Sequence, residues 1–174
     1  RKEMGVRTLF NLLGPLSNPA SAPNQLIGVF SKDWVEPLAQ VLKKLGSRHV
    51  LVVSAEDGLD EISIGSSTHV AELKDGVVTT YSVKPEQFGL QWASLAELAV
   101  TNAATSLNMI KSALNNQPGA ALDIVLLNSG AAIYAANITD SLAKGIDTAR
   151  QVIASGAALA NLDALINYST KITQ

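Results

Sequence analysis

The run His49-Val50-Leu51-Val52-Val53-Ser54 is apolar through its centre and rich in β-branched side chains. A strand with one wet face alternates apolar and polar residues; this one does not, which predicts a strand buried on both faces. Such a strand needs helices above and below its sheet. Upstream, Leu26 to Phe30 reads as a second short buried strand. Between the two, Ser31 or Asp33 can cap a helix running to Leu45, with Pro37 near its first turn and Gly46 just past its end. Downstream comes a loop carrying Glu56, Asp57, Gly58, Asp60 and Glu61. Thr68 to Leu73 and Val77 to Val83 then flank Lys74-Asp75-Gly76, the signature of a β-hairpin. From Ser94 onward the pattern turns helical, near 94–99, 102–115, 119–136, 139–155 and 157–170. The 119–136 segment is apolar nearly all round, so it is expected as a central buried helix. These elements predict an α/β domain with a mixed, mostly parallel sheet flanked by helices.

Composition narrows the function classes. The 174 residues suffice for one domain with a core. A net charge of -2 argues against a nucleic-acid binder that works through a broad basic surface. The chain has no cysteine, so disulfides and thiolate chemistry are excluded and a cytoplasmic setting is compatible. The apolar stretch Ala120 to Ile138 is broken by Asp123, Asn128 and Asn137, so no membrane span is expected.

Most generic catalytic patterns are missing: there is no Gly-x-Gly-x-x-Gly fingerprint, no phosphate loop ending in Gly-Lys-Ser/Thr and no His-Glu-x-x-His. His49 and His69 fall at or near strand starts, and a partly buried strand residue is the default reading of His49. The adjacent carboxylates Asp60 and Glu61 follow a buried strand, where ligands of open α/β sheets bind. In a loop both can turn toward one cation. Magnesium binds through one or two carboxylates plus substrate phosphates and keeps waters. On spacing alone, a solvated acidic turn remains the default. Arg1 and Arg7 offer planar forks suited to a carboxylate, or are helix-surface charges. Glu3 to Leu13 reads as a helix stopped by Gly14-Pro15, with a second turn at Asn18-Pro19.

Two stretches resemble the anthranilate phosphoribosyltransferase family: Arg1-x-x-Met4-Gly5-x-Arg7-Thr8-Leu9-Phe10-Asn11-Leu12-Leu13-Gly14-Pro15-Leu16-Ser17-Asn18-Pro19, and Gly58-Leu59-Asp60-Glu61-Ile62-Ser63. Phe88-Gly89-Leu90 and Asp123 to Ala131 look like further structural elements of that family. The resemblance implies a nucleoside phosphorylase/phosphoribosyltransferase type of fold. It implies phosphoribosyl transfer from phosphoribosyl pyrophosphate to the amine of anthranilate. Asp60 and Glu61 become the expected ligands of Mg²⁺, up to two ions bound with phosphoribosyl pyrophosphate. Arg1 is expected on the anthranilate carboxylate, with Arg7 in support; Gly14 and Pro15 line the anthranilate route, and Asn11 is a substrate-binding candidate. No residue is assigned to acid–base or nucleophilic catalysis.

The family's Gly-Thr-Gly-Gly-Asp and Lys-His-Gly-Asn type segments do not occur here. The chain, which opens on Arg1-Lys2-Glu3, is therefore expected to be a single C-terminal α/β domain fragment of a longer two-domain enzyme, inactive alone. A homodimer is implied for the full-length enzyme, with no membrane or nucleic-acid partner. Two alternatives compete: a pyrimidine nucleoside phosphorylase-like enzyme, which would need no metal pair, and a non-catalytic nucleic-acid-binding paralogue of the same fold.

Overall fold

The computed structural model describes residues 13–172. Its centre is a four-stranded sheet in the order β1-β2-β3-β4: β1 Asn24–Gly28, β2 His49–Ala55, β3 Thr68–Lys74 and β4 Val77–Val83. Every residue of β2 is buried. Its side chains alternate between two apolar clusters, as the twofold period of a strand requires. Val50 and Val52 join Val35, Leu38, Ala39 and Leu42 on one side. Leu51 and Val53 join Leu126, Leu127, Ile146 and Ala149 on the other. The continuous apolar run thus serves two cores.

The first layer is α2, Val35–Lys44. A single 3-10 turn, Lys32–Trp34, precedes it; Ser31 Oγ accepts from Asp33 N–H and caps that turn rather than the helix itself. Gly46 ends the segment at φ 87°, a left-handed conformation that glycine adopts without strain. The opposite layer holds α3 Ala103–Leu114, α4 Ala120–Ala135, α5 Leu142–Ala154 and α6 Ala157–Ile172. In α4, Leu122, Leu126, Leu127, Gly130, Ala131, Tyr134 and Ala135 are buried, which confirms it as the central helix. It meets α5 at very close range. A Cβ on Gly145 would lie 2.2 Å from the Gly130 carbonyl oxygen, so two glycines set that helix separation. Among the described residues no helix is long and apolar enough to cross a membrane.

The sheet is mixed, as expected, but the parallel majority does not hold within the described strands. β1 and β2 pair parallel, whereas β2–β3 and β3–β4 pair antiparallel. The strand–helix–strand unit supplies the parallel ladder, because its crossover returns the chain to the same end. After β2 the connection is a loop without a helix, and the chain comes straight back. The Asp75-Gly76 turn has positive φ at both positions, 51° and 75°, the geometry of a tight two-residue hairpin.

Three local expectations are corrected. The first strand is Asn24–Gly28 rather than Leu26 to Phe30, and only Ile27 within it is buried. Gly14-Pro15 does not stop the first helix, since α1, Leu13–Leu16, runs through both. The turn comes later, where Asn18 Oδ1 accepts from Ala20 N–H at 3.0 Å. His49 is not partly but almost wholly buried, at 1% exposure. Residues 3–12 of the expected first helix lie outside the described residues.

Candidate metal and phosphate site

Asp60 and Glu61 are exposed on the loop that leaves the C-terminal end of β2. Their backbone is pinned on both sides while their side chains face outward. On one side, Gly28 ends the neighbouring parallel strand. A Cβ built there would lie 1.5 Å from the Asp60 carbonyl oxygen, so the two backbones touch at a distance that only glycine permits. On the other side Ile62 is 1% exposed, its side chain sunk in the α4–α5 core. Its N–H donates to Asn128 Oδ1 at 2.9 Å, and its carbonyl accepts from Asn128 Nδ2 at 3.0 Å.

The rest of the loop is held by short-range bonds. Asp57 Oδ2 accepts from Ser63 Oγ, and Asp57 Oδ1 accepts from Leu59 N–H at 3.2 Å. Ser63 Oγ in turn accepts from Gly65 N–H at 2.9 Å, and Thr68 Oγ1 from Ser63 N–H at 3.0 Å. Ala55 N–H donates to Leu59 O at 3.0 Å, which closes the base. Gly58 sits at φ 89° within that turn. Asp57, read from the sequence as an ordinary loop charge, is the internal brace of the loop. Glu56 is a surface charge whose Oε1 lies 3.5 Å from His69 Nε2.

The donor set suits a hard cation that keeps part of its hydration. Among the described residues, Asp60 and Glu61 carry no ion pair to a lysine or arginine, so their charge is not already neutralised. Among those residues, too, no group of three or more His, Asp or Glu side chains could hold a metal. Two carboxylates without a third protein ligand fit magnesium bound jointly with phosphate oxygens better than a calcium-like all-protein cage. The position also fits, because the loop leaves the carboxyl end of the parallel pair.

The other expected site residues are placed apart from this loop or lie outside the description. Arg1, Arg7 and Asn11 lie outside the described residues. Gly14 is exposed, with nothing within 4 Å of where its Cβ would stand. Downstream of Gly14-Pro15, the chain reaches the sheet at the start of β1: Pro23 O accepts from Arg48 N–H at 2.7 Å, beside the first residue of β2. Asp60 abuts the far end of the same five-residue strand, about 15 Å away along it. No described contact joins Gly14 to Asp60 or Glu61.

At that opposite end lies a buried polar cluster that the sequence reading missed. Glu72 Oε1 lies 3.0 Å from His49 Nε2 and accepts from the Tyr134 hydroxyl at 2.6 Å. Glu72 Oε2 accepts from the Tyr81 hydroxyl at 2.9 Å. His49 Nδ1 lies 2.7 Å from Asn137 Oδ1. Burial, with the adjacent Glu72 charge, pushes the Tyr81 phenol far above its usual range. The cluster ties β2 and β3 to the end of α4. The signal that could have found it is a glutamate set between Ala71 and Leu73 in the buried stretch of a strand.

The model of the glycosyl transferase family, a/b domain, matches residues 1–159. The chain belongs to that family. Within it, the chain is similar to proteins named anthranilate phosphoribosyltransferase: 65% identical over 169 residues to the one from Methylococcus capsulatus, and 60% identical over 169 residues to the one from Thioalkalivibrio sulfidiphilus. Each match covers 97% of this chain and 50% of the relative. The chain thus spans about half the length of the curated relatives it matches. Among solved structures, the anthranilate phosphoribosyltransferase of Thermus thermophilus superposes with a TM-score of 0.85 at 40% identity, over 97% of this chain and 50% of that one. The Saccharomyces cerevisiae enzyme in complex with phosphoribosyl pyrophosphate and Mg gives a TM-score of 0.84 at 27% identity, over 98% and 50%. These likenesses place the mixed sheet and its helices in the fold of the family's α/β domain.

Proposed function

We propose that this chain supplies the C-terminal α/β half of an anthranilate phosphoribosyltransferase, with Asp60 and Glu61 as its contribution to the metal-phosphate site. The single observation that carries the reading is the loop itself: two outward carboxylates on a backbone pinned at Gly28 and Ile62, at the carboxyl end of a parallel strand pair. The 65% identity to a protein of that name, and the yeast structure with phosphoribosyl pyrophosphate and Mg, support it.

In the proposed reaction a bond forms between the anthranilate amine nitrogen and C1 of the ribose. The bond from C1 to the pyrophosphate oxygen breaks, and the amine gives up a proton. Positive charge grows on the ribose and negative charge on the leaving group, which bound Mg²⁺, one or two ions, would neutralise as a Lewis acid. Asp60 and Glu61 hold that charge at a fixed place. The loop braces keep the carboxylates from reorganising as charge develops, which is how preorganised groups act. The aromatic amine is neutral at pH 7, so its positioning matters more than a strong base. Arg1, Asn11, Gly14 and Pro15 are proposed to form the anthranilate side of the site. A cytoplasmic location and a homodimer of the full-length enzyme belong to the same proposal.

The test is the fall in anthranilate fluorescence when a full-length polypeptide carrying this chain meets phosphoribosyl pyrophosphate and Mg²⁺, with EDTA as control. A metal-dependent fall is expected, and the 174-residue chain assayed alone should give none. Replacing Asp60 and Glu61 together by alanine should abolish most turnover. Stability should move by no more than about 0.5 kcal/mol, as for exposed side chains that carry no ion pair among the described residues. An unchanged rate in that variant would remove the pair from the mechanism.

A further inference from the structure

Asn128 is a polar residue in a helix that is otherwise almost wholly apolar and central to the core. Its amide makes three hydrogen bonds, using both Nδ2 donors and accepting once at Oδ1. One Nδ2 hydrogen goes back to Ile124 O at 3.0 Å, on its own helix, and fixes the rotamer. The other goes to Ile62 O at 3.0 Å, while Oδ1 accepts from Ile62 N–H at 2.9 Å. The side chain therefore grips both polar groups of one peptide residue, 66 positions away in sequence, as a neighbouring strand would. The gripped residue is the one directly after Glu61.

Gly28 holds the other flank, with its Cα against the Asp60 carbonyl. One hold falls on Asp60 itself and the other on the residue after Glu61, so together they bracket the backbone of the carboxylate pair. A general core-stabilising role could be met by any side chain that fills the space. A two-point grip on the residue beside the carboxylates fixes position as well as stability. Groups that orient metal ligands without touching the metal are worth about tenfold or more in metal affinity.

We propose that Asn128 is a positioning residue, setting the backbone of Asp60-Glu61 so that both carboxylates present to one divalent cation. This rests on the reading of Asp60-Glu61 as a metal site, and the experiment separates the two. Mn²⁺ together with inorganic pyrophosphate is titrated into an isotopically labelled full-length polypeptide carrying this chain, and the paramagnetic broadening of amide resonances between residues 58 and 63 is followed. Folding is checked by thermal melts. The variants are Asn128→Ala, Asn128→Asp (which keeps the acceptor for Ile62 N–H) and Ile146→Val, which trims the packing of α5 against Gly130 and leaves the Asn128 side chain in place.

The expected result is broadening confined to the acidic loop in the parent chain. Asn128→Ala should weaken the apparent Mn²⁺ affinity by about tenfold or more, Asn128→Asp by less, and Ile146→Val hardly at all. If Asn128→Ala does not fold, the Asn128→Asp value decides: an affinity equal to the parent's overturns the positioning role. Parent-like affinity in a folded Asn128→Ala overturns it too, while leaving the metal site standing. An equal loss in Ile146→Val overturns it by showing that general stability governs the loop. Absence of loop broadening in the parent overturns the metal site itself, and the role of Asn128 with it.

Discussion

Gly28→Ala tests how the acidic loop is held, because two effects of opposite sign compete at that position. In a strand, alanine is ordinarily better than glycine by about 0.5–1 kcal/mol, since glycine loses more backbone entropy on folding. Gly28 is not among the positive-φ glycines, so backbone strain adds nothing against alanine. The opposing effect is steric. The new Cβ would stand 1.5 Å from the Asp60 carbonyl oxygen and 2.5 Å from its carbon. A carbon–oxygen contact needs about 3.3–3.6 Å, so the backbones must separate by roughly 2 Å. No rotamer change can supply this, because the blocking atoms are main chain. The loop must move against the Ala55–Leu59 bond and the two Ile62–Asn128 bonds. Three such bonds at about 1 kcal/mol each, less the entropy gain, leave a net loss of about 2–2.5 kcal/mol. At about 2–4 °C per kcal/mol for a chain of this size, the melting temperature should fall by roughly 4–10 °C. Thermal and urea unfolding give the stability, and amide chemical shifts report where the structure moves. The shifts should change most at Asp60 to Ile62. A melting temperature equal to or above the parent's would show that glycine entropy outweighs the contact, and the argument that Gly28 pins the loop would be wrong.

Other sites offer independent checks. Gly145→Ala should destabilise by about 1–3 kcal/mol in urea unfolding despite alanine's better helix propensity, because its Cβ would meet the Gly130 carbonyl oxygen at 2.2 Å; a stabilised variant would mean that α4 and α5 separate easily. Glu72→Ala should cost about 2–3 kcal/mol, since it removes the acceptor of the Tyr81 and Tyr134 hydroxyls and the Nε2 partner of the buried His49 ring, leaving Tyr134 with Lys74 and His49 with Asn137. A loss below about 1 kcal/mol, measured by the same unfolding, would reduce that cluster to surface chemistry. Asp123, half-buried in the first turn of α4, has its carboxyl raised above the usual 3.8 by burial, opposed by the Arg150 charge. A carboxyl raised in the folded state is more readily ionised in the unfolded chain. Stability is therefore lost as pH rises from the unfolded value through the folded one. Asp123→Asn should remove that loss, so the variant's melting temperature should gain on the parent's between acid and neutral pH. No gain across that window would contradict the assigned cause.

How much of this was legible in the sequence depended on the range of the interaction. The β2 run declared both faces buried because a strand's side chains alternate, and continuous apolar residues leave no face for water. Asp75-Gly76 declared the hairpin because a tight two-residue turn needs positive φ, which glycine meets most easily and aspartate tolerates. The later helices were legible from their helical pattern, while the side chains that cap them, such as Asn102 and Ser141, came from the structure. Asp60-Glu61 stood out through the local motif around it. Pairing direction was different: whether the chain after β2 returns or crosses over depends on how the whole loop packs, and the expected parallel majority failed there.

The holds on the acidic pair were equally out of reach. Gly28 and Asn128 each showed a local oddity, a glycine in a strand and an amide in an apolar helix. Their shared target, the backbone around Asp60 and Glu61, exists only once β1, the loop and α4 meet in space. Glu72 likewise looks like a lone misplaced charge until His49, Tyr81 and Tyr134 surround it. The sequence alone determined what is periodic or adjacent: elements, turns and the carboxylate pair. Only the tertiary structure decided which distant residues hold that pair still, because such contacts join positions that no local pattern relates.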